Sequence, residues 1–281
     1  MAQAARLCSS LSAAPSCENT FDPRMPETLS VAIVTLNEEA NLPRTLASVR
    51  WADEIVVVDS GSTDRTCEIA REFGARVTVE PWRGYTAQKN YALELCTKDW
   101  ILSLDADEEV SPELAEEIRG VLAGSAKFDG YSMPRKNLFL GRWMKHGGFY
   151  PDPKLRLFRR GKGYSTGRDP HDRFEMKNVE PVGRFKGALI HHTYPTLNLY
   201  IEHMNRYSSV WNRVPGAVPQ RFSINAIVLR PVFTFIYNYF FRLGFLDGRE
   251  GLLLHMYHAA YVSWKYAKGW EMGRSTSAAK Q

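Results

Sequence analysis

The chain has 281 residues, 44% hydrophobic, 12% aromatic and 24% charged, a composition that supports a buried core and excludes a disordered chain, a collagen-like repeat and a coiled coil. Its net charge of +5 is the sum of two opposed halves: residues 1–134 hold 12 basic and 22 acidic side chains, net −10, and residues 135–281 hold 24 basic and 9 acidic, net +15. The four cysteines (Cys8, Cys17, Cys67, Cys96) form no CxxC pair, which excludes a disulfide scaffold and a thiolate zinc site and fits a reducing compartment.

Residues 1–28 are rich in Ala, Ser, Pro and Thr without an apolar period and are expected to be a disordered extension. Leu7 to Ala14 is too short and serine-rich for a secretory signal, and Met25 is a candidate natural start. From Leu29 the pattern becomes regular. Leu29–Leu36, Ile55–Val58, Arg76–Val79 and Ile101–Leu104 are short, continuous β-branched or aliphatic runs, as in parallel strands covered on both faces. Between them the spacing predicts helices over Asn41–Val49, over Asp64–Phe73 with Gly74 as C-cap, and over Thr86–Cys96. Ser111 and Pro112 open a further helix running to about Ala123. This alternation predicts a doubly wound α/β sheet with right-handed crossovers, whose ligands collect at the carboxyl ends of the strands.

At those ends the polar residues concentrate. Thr35, Leu36, Asn37, Glu38 and Glu39 follow the first strand without a glycine-rich turn, which argues against NAD and FAD. Asp59 ends the second strand and suits a base or ribose, while Ser60, Ser62 and Thr63 after it equally suit a helix cap. Asp105 and Asp107 stand at i and i+2 of the fourth strand, so they are expected to converge on one point. Two carboxylates brought together call for a hard cation, Mg²⁺ or Mn²⁺, completed by water and phosphate oxygens. The alternative is that Asp105, Asp107, Glu108 and Glu109 only complement the dipole of the Pro112 helix, and for Glu108 and Glu109 the two readings are balanced.

Four segments in order carry a resemblance: VTLNEEANL, VVVDSGSTDRT, GYTAQKNYAL and WILSLDADEEVSPEL. The run Val31–Glu109 resembles the nucleotide-sugar-binding half of the GT-A-fold, family 2 glycosyltransferases, and LDADE resembles the branch of bacterial lipopolysaccharide-core β-glucosyltransferases. The resemblance implies a Rossmann-like, mostly parallel sheet flanked by helices. It implies that Thr35, Asn37, Glu38 and Asp59 hold uracil and ribose, that Lys89 lies near the nucleotide, and that Asp105 and Asp107 hold metal and diphosphate.

The basic half is expected to supply the acceptor site and a general base. His171 and Asp172, after Pro170, are the candidates: Asp172 as base and His171 as a positioning group or further ligand. Related enzymes usually carry Glu after the histidine, so Asp172 has a shorter reach, and a solvated loop pair is the alternative. Gly147 and Gly148 suggest loops over a cleft, and Arg156, Arg159, Arg160, Lys162 and Arg168 suggest a diphosphate or phosphorylated-acceptor cradle or a solvated surface. His191 and His192 read as structural first, with an active-site role for His192 as the alternative. No nucleic-acid motif appears, and Asp105 to Glu109 would oppose a polyanion.

Ile224–Phe241 is long enough to cross a bilayer but contains Arg230 and Pro231, which disfavours a spanning helix. With a second apolar helix around Leu252–Trp264 it suits a peripheral helical pair at an anionic membrane surface, or a hairpin buried under the sheet domain.

The expected organisation is an extension (1–28), a GT-A domain (29–215, with donor half 29–125 and acceptor half 126–215), an amphipathic helical region (216–270) and a flexible tail (271–281). The implied activity is metal-dependent, inverting transfer of a sugar from a nucleotide-diphosphate donor, UDP-linked, to a hydroxyl of a lipopolysaccharide-core or other envelope glycolipid. The implied location is cytoplasmic, at the inner face of the cytoplasmic membrane. Polyprenyl-phosphate sugar synthesis and a non-catalytic membrane or nucleic-acid adaptor are the alternatives. The −10 half would then hold nucleotide and cation, and the +15 half would face phosphorylated acceptor and anionic lipid.

Overall fold

The computed structural model describes residues 26–168, 171–213 and 221–278. In chain order the first strands and helices are β1 (Leu29–Thr35), α1 (Leu42–Ser48), β2 (Glu54–Asp59), α2 (Thr66–Glu72), β3 (Arg76–Val79), α3 (Tyr85–Glu94), β4 (Trp100–Asp105), β5 (Glu108–Val110) and α4 (Pro112–Gly120). β1 pairs in parallel with β2 and β4, and β2 with β3, so the expected α/β sheet is the one observed. Alternate residues of β1 serve two cores. Val31 and Ile33 pack under α1, α2 and α4 with Leu42, Leu46, Ile69, Leu114 and Ile118; Ala32 joins Val56, Val58 and the α3 residues Ala92 and Leu93 on the other face. Both faces are dry, which is why these strands read as unbroken apolar runs. Ser111 caps α4 by accepting from the Leu114 N–H at 3.3 Å.

The sheet continues through residues with no clear strand signal. β6 (Gly130–Met133), β9 (Lys154–Arg159) and β12 (Gly183–Arg184) extend it to the order β12-β6-β9-β4-β1-β2-β3, with β9 antiparallel to β4 and β6. A second sheet, β5-β13-β7-β8, is built from β7 (Arg135–Phe139), β8 (Arg142–Trp143) and β13 (Leu189–Tyr194), and β10 (Gly163–Arg168) pairs with β11 (His171–Met176) as an antiparallel hairpin.

The chain ends in helices: α5 (Leu197–Arg213), α6 (Arg230–Ile236) between wider turns at Asn225–Leu229 and Tyr237–Phe241, and α7 (Gly248–Ala278). Tyr200 and Met204 of α5 and Leu254 of α7 share a core with Phe139 and Met144 of the second sheet. Among the described residues no helix is long and apolar enough to cross a membrane.

Two expected boundaries change. Glu27 and Thr28 belong to the fold and not to a loose extension: Glu27 pairs with Arg159 and accepts from the Trp100 indole at 2.8 Å, and Thr28 bonds to Asp99. Residues 1–25, including the candidate start Met25, lie outside the described residues. Of the expected tail, residues 271–278 are the last turns of α7, and 279–281 lie outside the described residues.

Candidate active site

The parallel register builds the site. It sets Thr35 opposite Asp59 and Val34 opposite Asp105, so β1, β2 and β4 deliver their polar ends to one edge of the sheet. The chain leaves β4 at Asp105, turns at Ala106 and Asp107, and enters β5 in the other sheet. Strand alternation therefore does not govern Asp105 and Asp107, and their side chains take different partners.

Asp105 lies between two cations, with Lys89 Nζ 2.7 Å from one oxygen and Arg156 2.6 Å from the other. Burial raises its carboxyl, but Arg156 and Lys89 outweigh that and hold it well below the usual range. Lys89, on α3 and buried, also reaches Asp172 at 2.8 Å. Arg156 reaches Glu108 at 2.8 Å, and Arg135 pairs with Glu108 at 3.2 Å. Glu108, 0% exposed, also accepts from the Asp105 N–H, so it belongs to the support of the site and neither faces a ligand nor decorates a helix end.

Asp107 meets His191, whose Nε2 is 3.1 Å from its carboxylate. Burial pushes Asp107 up, and the His191 charge and hydrogen bond bring it below its ordinary value. The next pair along repeats the arrangement, with His192 Nε2 2.9 Å from Glu109. His191 and His192 were expected to be structural. β13 pairs antiparallel with β5 and parallel with β7, setting His191 opposite both Glu108 and Asn137. His191 lies 83 residues from Glu108 and 54 from Asn137 in the sequence, and no local pattern announces either pairing.

The other expected site residues are placed as follows. Thr35 is buried, and among the described residues its hydroxyl has no hydrogen-bond partner. Asn37 has a left-handed backbone (φ 55°), donates its N–H to Ser62 and accepts from the Thr63 N–H, tying the two donor-side loops together. Glu38 lies near Asp107, Asp64 and Asp105; burial first, and then those charges, raise its carboxyl above the usual value. Asp59 is 1% exposed and accepts from the Gly61 and Ser62 N–H groups and the Ser62 hydroxyl. It shapes its own turn, and Asp64, accepting from the Thr66 N–H, sits at the start of α2.

Asp172 is not in a solvated loop. It lies in β11, its side chain 11% exposed, with one oxygen on Lys89. The side chain of His171, with Asp169 and Pro170, lies outside the described residues. The expected basic cradle is dispersed: among its described side chains only Arg156 points into the site, Arg159 pairs with Glu27 and Asp129, Lys162 with Asp129 and Glu180, and Arg160 bonds to the Lys98 carbonyl. The Arg168 side chain lies outside the described residues. Gly147 and Gly148 do not form a free flap, because the C-terminal helices close on them: a Cβ on Gly147 would fall 2.1 Å from the His255 ring, and one on Gly148 2.1 Å from Arg242.

A divalent cation fits the donor set. Bonds of about 2.1 Å at right angles put neighbouring ligands about 3 Å apart, which is the Asp107–His191 separation of 3.1 Å. Among the described residues no third His, Cys, Asp or Glu completes a protein-only cage, so the remaining positions would fall to water and phosphate oxygens. One carboxylate and one imidazole form a mixed oxygen and nitrogen donor set.

The family model of glycosyl transferase family 2 matches residues 30–182, from β1 through the Asp172 strand. The chain belongs to that family. It is 31% identical over 256 residues to the lipopolysaccharide core biosynthesis glycosyltransferase LpsC of Rhizobium meliloti, covering 88% of this chain and 92% of that one. It is 31% identical over 236 residues to an uncharacterized glycosyltransferase of Rickettsia typhi, covering 80% of each. Among solved structures it is similar to Staphylococcus aureus TarS residues 1–349, at 13% identity, 90% and 92% coverage and a TM-score of 0.43. As a member of family 2 it is a glycosyltransferase that takes its sugar from a nucleotide-sugar donor.

Proposed function

We propose that this glycosyltransferase transfers a sugar, with inversion, from a UDP-sugar to a hydroxyl of a lipopolysaccharide-core glycolipid, and that it requires a divalent cation. The observation that carries the reading is the pairing of Asp107 with His191 at 3.1 Å, next to Lys89 bridging Asp105 and Asp172. The acceptor class rests on the likeness to LpsC along nearly the whole chain. The uridine rests on the resemblance of the Thr35–Glu38 and Asp59–Thr63 segments to the donor-binding loops of the family.

Asp107 and His191 would hold the cation, which supplies a Lewis acid against the charge that develops on the departing diphosphate. Lys89 and Arg156 bring two further positive charges to the same edge, fixed by burial, so little reorganisation is needed as that charge grows. Asp105 orients both of them. Asp172 is the base: Lys89 holds its Oδ2, and the other carboxylate oxygen accepts the proton of the incoming hydroxyl. Thr35, Asn37 and Glu38, with the turn shaped by Asp59, line the nucleoside end.

The enzyme works at an anionic membrane surface. Ile224, Val228, Leu229, Val232, Phe233, Ile236, Tyr237, Phe240 and Phe241 recur at helical spacing and are all exposed, Phe241 at 74%, so this stripe faces outward and is not buried under the sheet domain. Residues 221–246 contain Arg221, Arg230 and Arg242 and no Asp or Glu, which complements acidic headgroups.

The test is transfer or donor hydrolysis with a panel of UDP-sugars. Turnover that needs Mn²⁺ and is lost in Asp107→Ala and His191→Ala, with folding unchanged, supports the reading. A folded wild-type protein that gains no thermal stability from any nucleotide sugar with Mn²⁺ refutes it. Asp172→Asn retaining turnover removes Asp172 from the role of base.

A further inference from the structure

We propose that Asn137 is a positioning residue that fixes the proton of His191 on Nδ1 and thereby presents Nε2, as an unprotonated donor, to the cation shared with Asp107. The proposal rests on the cation reading above for what Nε2 binds, but not for where the proton sits.

The proton's position follows from the partners of the Asn137 amide. Its Nδ2 lies 3.1 Å from the Phe149 carbonyl oxygen and 3.4 Å from an Asp152 carboxylate oxygen, and both can only accept. The NH₂ group must therefore face them, since the flipped amide would set oxygen against two oxygens. That leaves Asn137 Oδ1 facing His191 Nδ1 at 2.7 Å. An amide oxygen accepts, so Nδ1 must donate. The Thr193 hydroxyl oxygen, 2.6 Å from the same nitrogen, is a second acceptor for that proton. With one proton fixed on Nδ1, Nε2 is the nitrogen that faces Asp107: without a cation it shares a second proton with that carboxylate, and a cation entering between them takes that proton's place. Two lone pairs facing each other are stable only with a positive species between them.

The amide is held from behind. Asp152 is fixed by Arg135 through Nε at 3.0 Å and Nη2 at 2.8 Å. The Phe149 carbonyl belongs to a turn in which the Phe149 N–H bonds to the His146 carbonyl. The C-terminal helices grip that turn: Asp247 accepts from the His146 N–H at 2.8 Å and bonds to its ring at 2.8 Å, and the Gly147 N–H donates to the Arg242 carbonyl at 2.9 Å. Positive φ at Gly147 and Gly148 lets the turn approach His255 and Arg242 closely. An unbroken set of contacts thus runs from the helices that bear the exposed apolar stripe to the imidazole in the active site.

The experiment is long-range ¹H–¹⁵N NMR of the full-length, metal-free protein with ¹⁵N-labelled histidine rings, paired with calorimetric titration of Mn²⁺. Wild type is expected to carry the His191 proton on Nδ1. Asn137→Ala is expected to lose it there and to bind Mn²⁺ some 10- to 100-fold more weakly, the usual cost of removing a partner behind a ligand. A far-UV circular dichroism spectrum and a urea midpoint of Asn137→Ala close to those of wild type separate positioning from general damage to the fold. A wild-type ring without a proton on Nδ1 overturns the proposal. So does Asn137→Ala with the Nδ1 proton and Mn²⁺ affinity unchanged, because Thr193 alone would then set the ring. A wild-type protein with the Nδ1 proton in place and no Mn²⁺ binding would sink the cation reading while leaving the proton assignment standing.

Discussion

Replacing Arg156 with Met tests whether the site is held by buried charge. Arg156 is 4% exposed, and its guanidinium joins Asp105 at 2.6 Å to Glu108 at 2.8 Å. Methionine fills much of the same space but removes the charge. Glu108, fully buried, keeps Arg135 at 3.2 Å and the Asp105 N–H; Asp105 keeps Lys89. Leaving one side of a buried ion pair unpaired costs about 3–5 kcal/mol. The remaining partners place this case at the lower end, about 3 kcal/mol, or roughly 6–10 °C in Tm for a chain of this size. Urea denaturation followed by tryptophan fluorescence at pH 7.5 measures it. Adding Glu108→Gln removes the stranded charge and should restore a large part of the loss. The pH dependence has a fixed sign. Arg156 depresses the folded-state carboxyl of Asp105 below its ordinary value of 3.8, so its stabilisation is complete above that value and disappears as pH falls through the depressed one. The gap between wild type and variant should therefore narrow on acidification below about pH 4. A variant within about 1 kcal/mol of wild type at pH 7.5 would refute the argument, since that is the size of an exposed pair.

Three further outcomes follow from other parts of the fold. Gly147→Ala places a Cβ 2.1 Å from the His255 ring at a φ of +67°, and should cost at least about 2 kcal/mol in the same urea assay, with His255→Ala recovering part of it. Ser111→Ala removes the α4 cap and should cost about 1 kcal/mol, read as a Tm shift of a few degrees. Burial pushes the Cys96 thiol up to about 12, so its peptide should remain unmodified by iodoacetamide at pH 8 in native protein and become fully alkylated in denaturant, by mass spectrometry.

The donor half was readable because its signals are local. Each of β1, β2 and β4 is one apolar run ending in a polar tip, and parallel pairing aligns those tips wherever the turns and helices between them fall. The acceptor half could not be read in the same way. β7 and β9 interleave Arg and Lys with apolar residues because some of those charges turn inward, Arg135 onto Glu108 and Arg156 onto Asp105 and Glu108, and β6 is only the four-residue run GYSM. The alternation that places Arg156 inside the protein and Arg159 at its edge is visible only once the strand is recognised as one. His191 shows the limit most clearly: it ends an apolar run, as a structural histidine would, and becomes an Asp107 partner only because β13 lies between β5 and β7.

The opposed charges of the two halves have a different origin from the one expected of them. Two working surfaces were expected, one holding nucleotide and cation and the other facing acceptor and lipid. Much of the opposition is instead spent inside the molecule. Arg156 and Arg135 answer Asp105 and Glu108, Arg159 answers Glu27 and Asp129, Lys162 answers Asp129, and His191 and His192 answer Asp107 and Glu109. These pairs cross from residues before 134 to residues after it, and the buried ones favour one docking of the halves over any that leaves Glu108 without a cation. Part of the remaining positive charge is Arg221, Arg230 and Arg242, in the segment 221–246 that bears the exposed apolar stripe and has no Asp or Glu of its own. There, few charges beside a large apolar face mean that raising salt should weaken membrane binding only partially, whereas Phe240→Ser with Phe241→Ser should abolish it. Vesicle sedimentation at 0.1 and 1 M NaCl distinguishes the two contributions, and binding lost entirely to salt would show that the arginines, and not the aromatic stripe, hold the protein at the membrane.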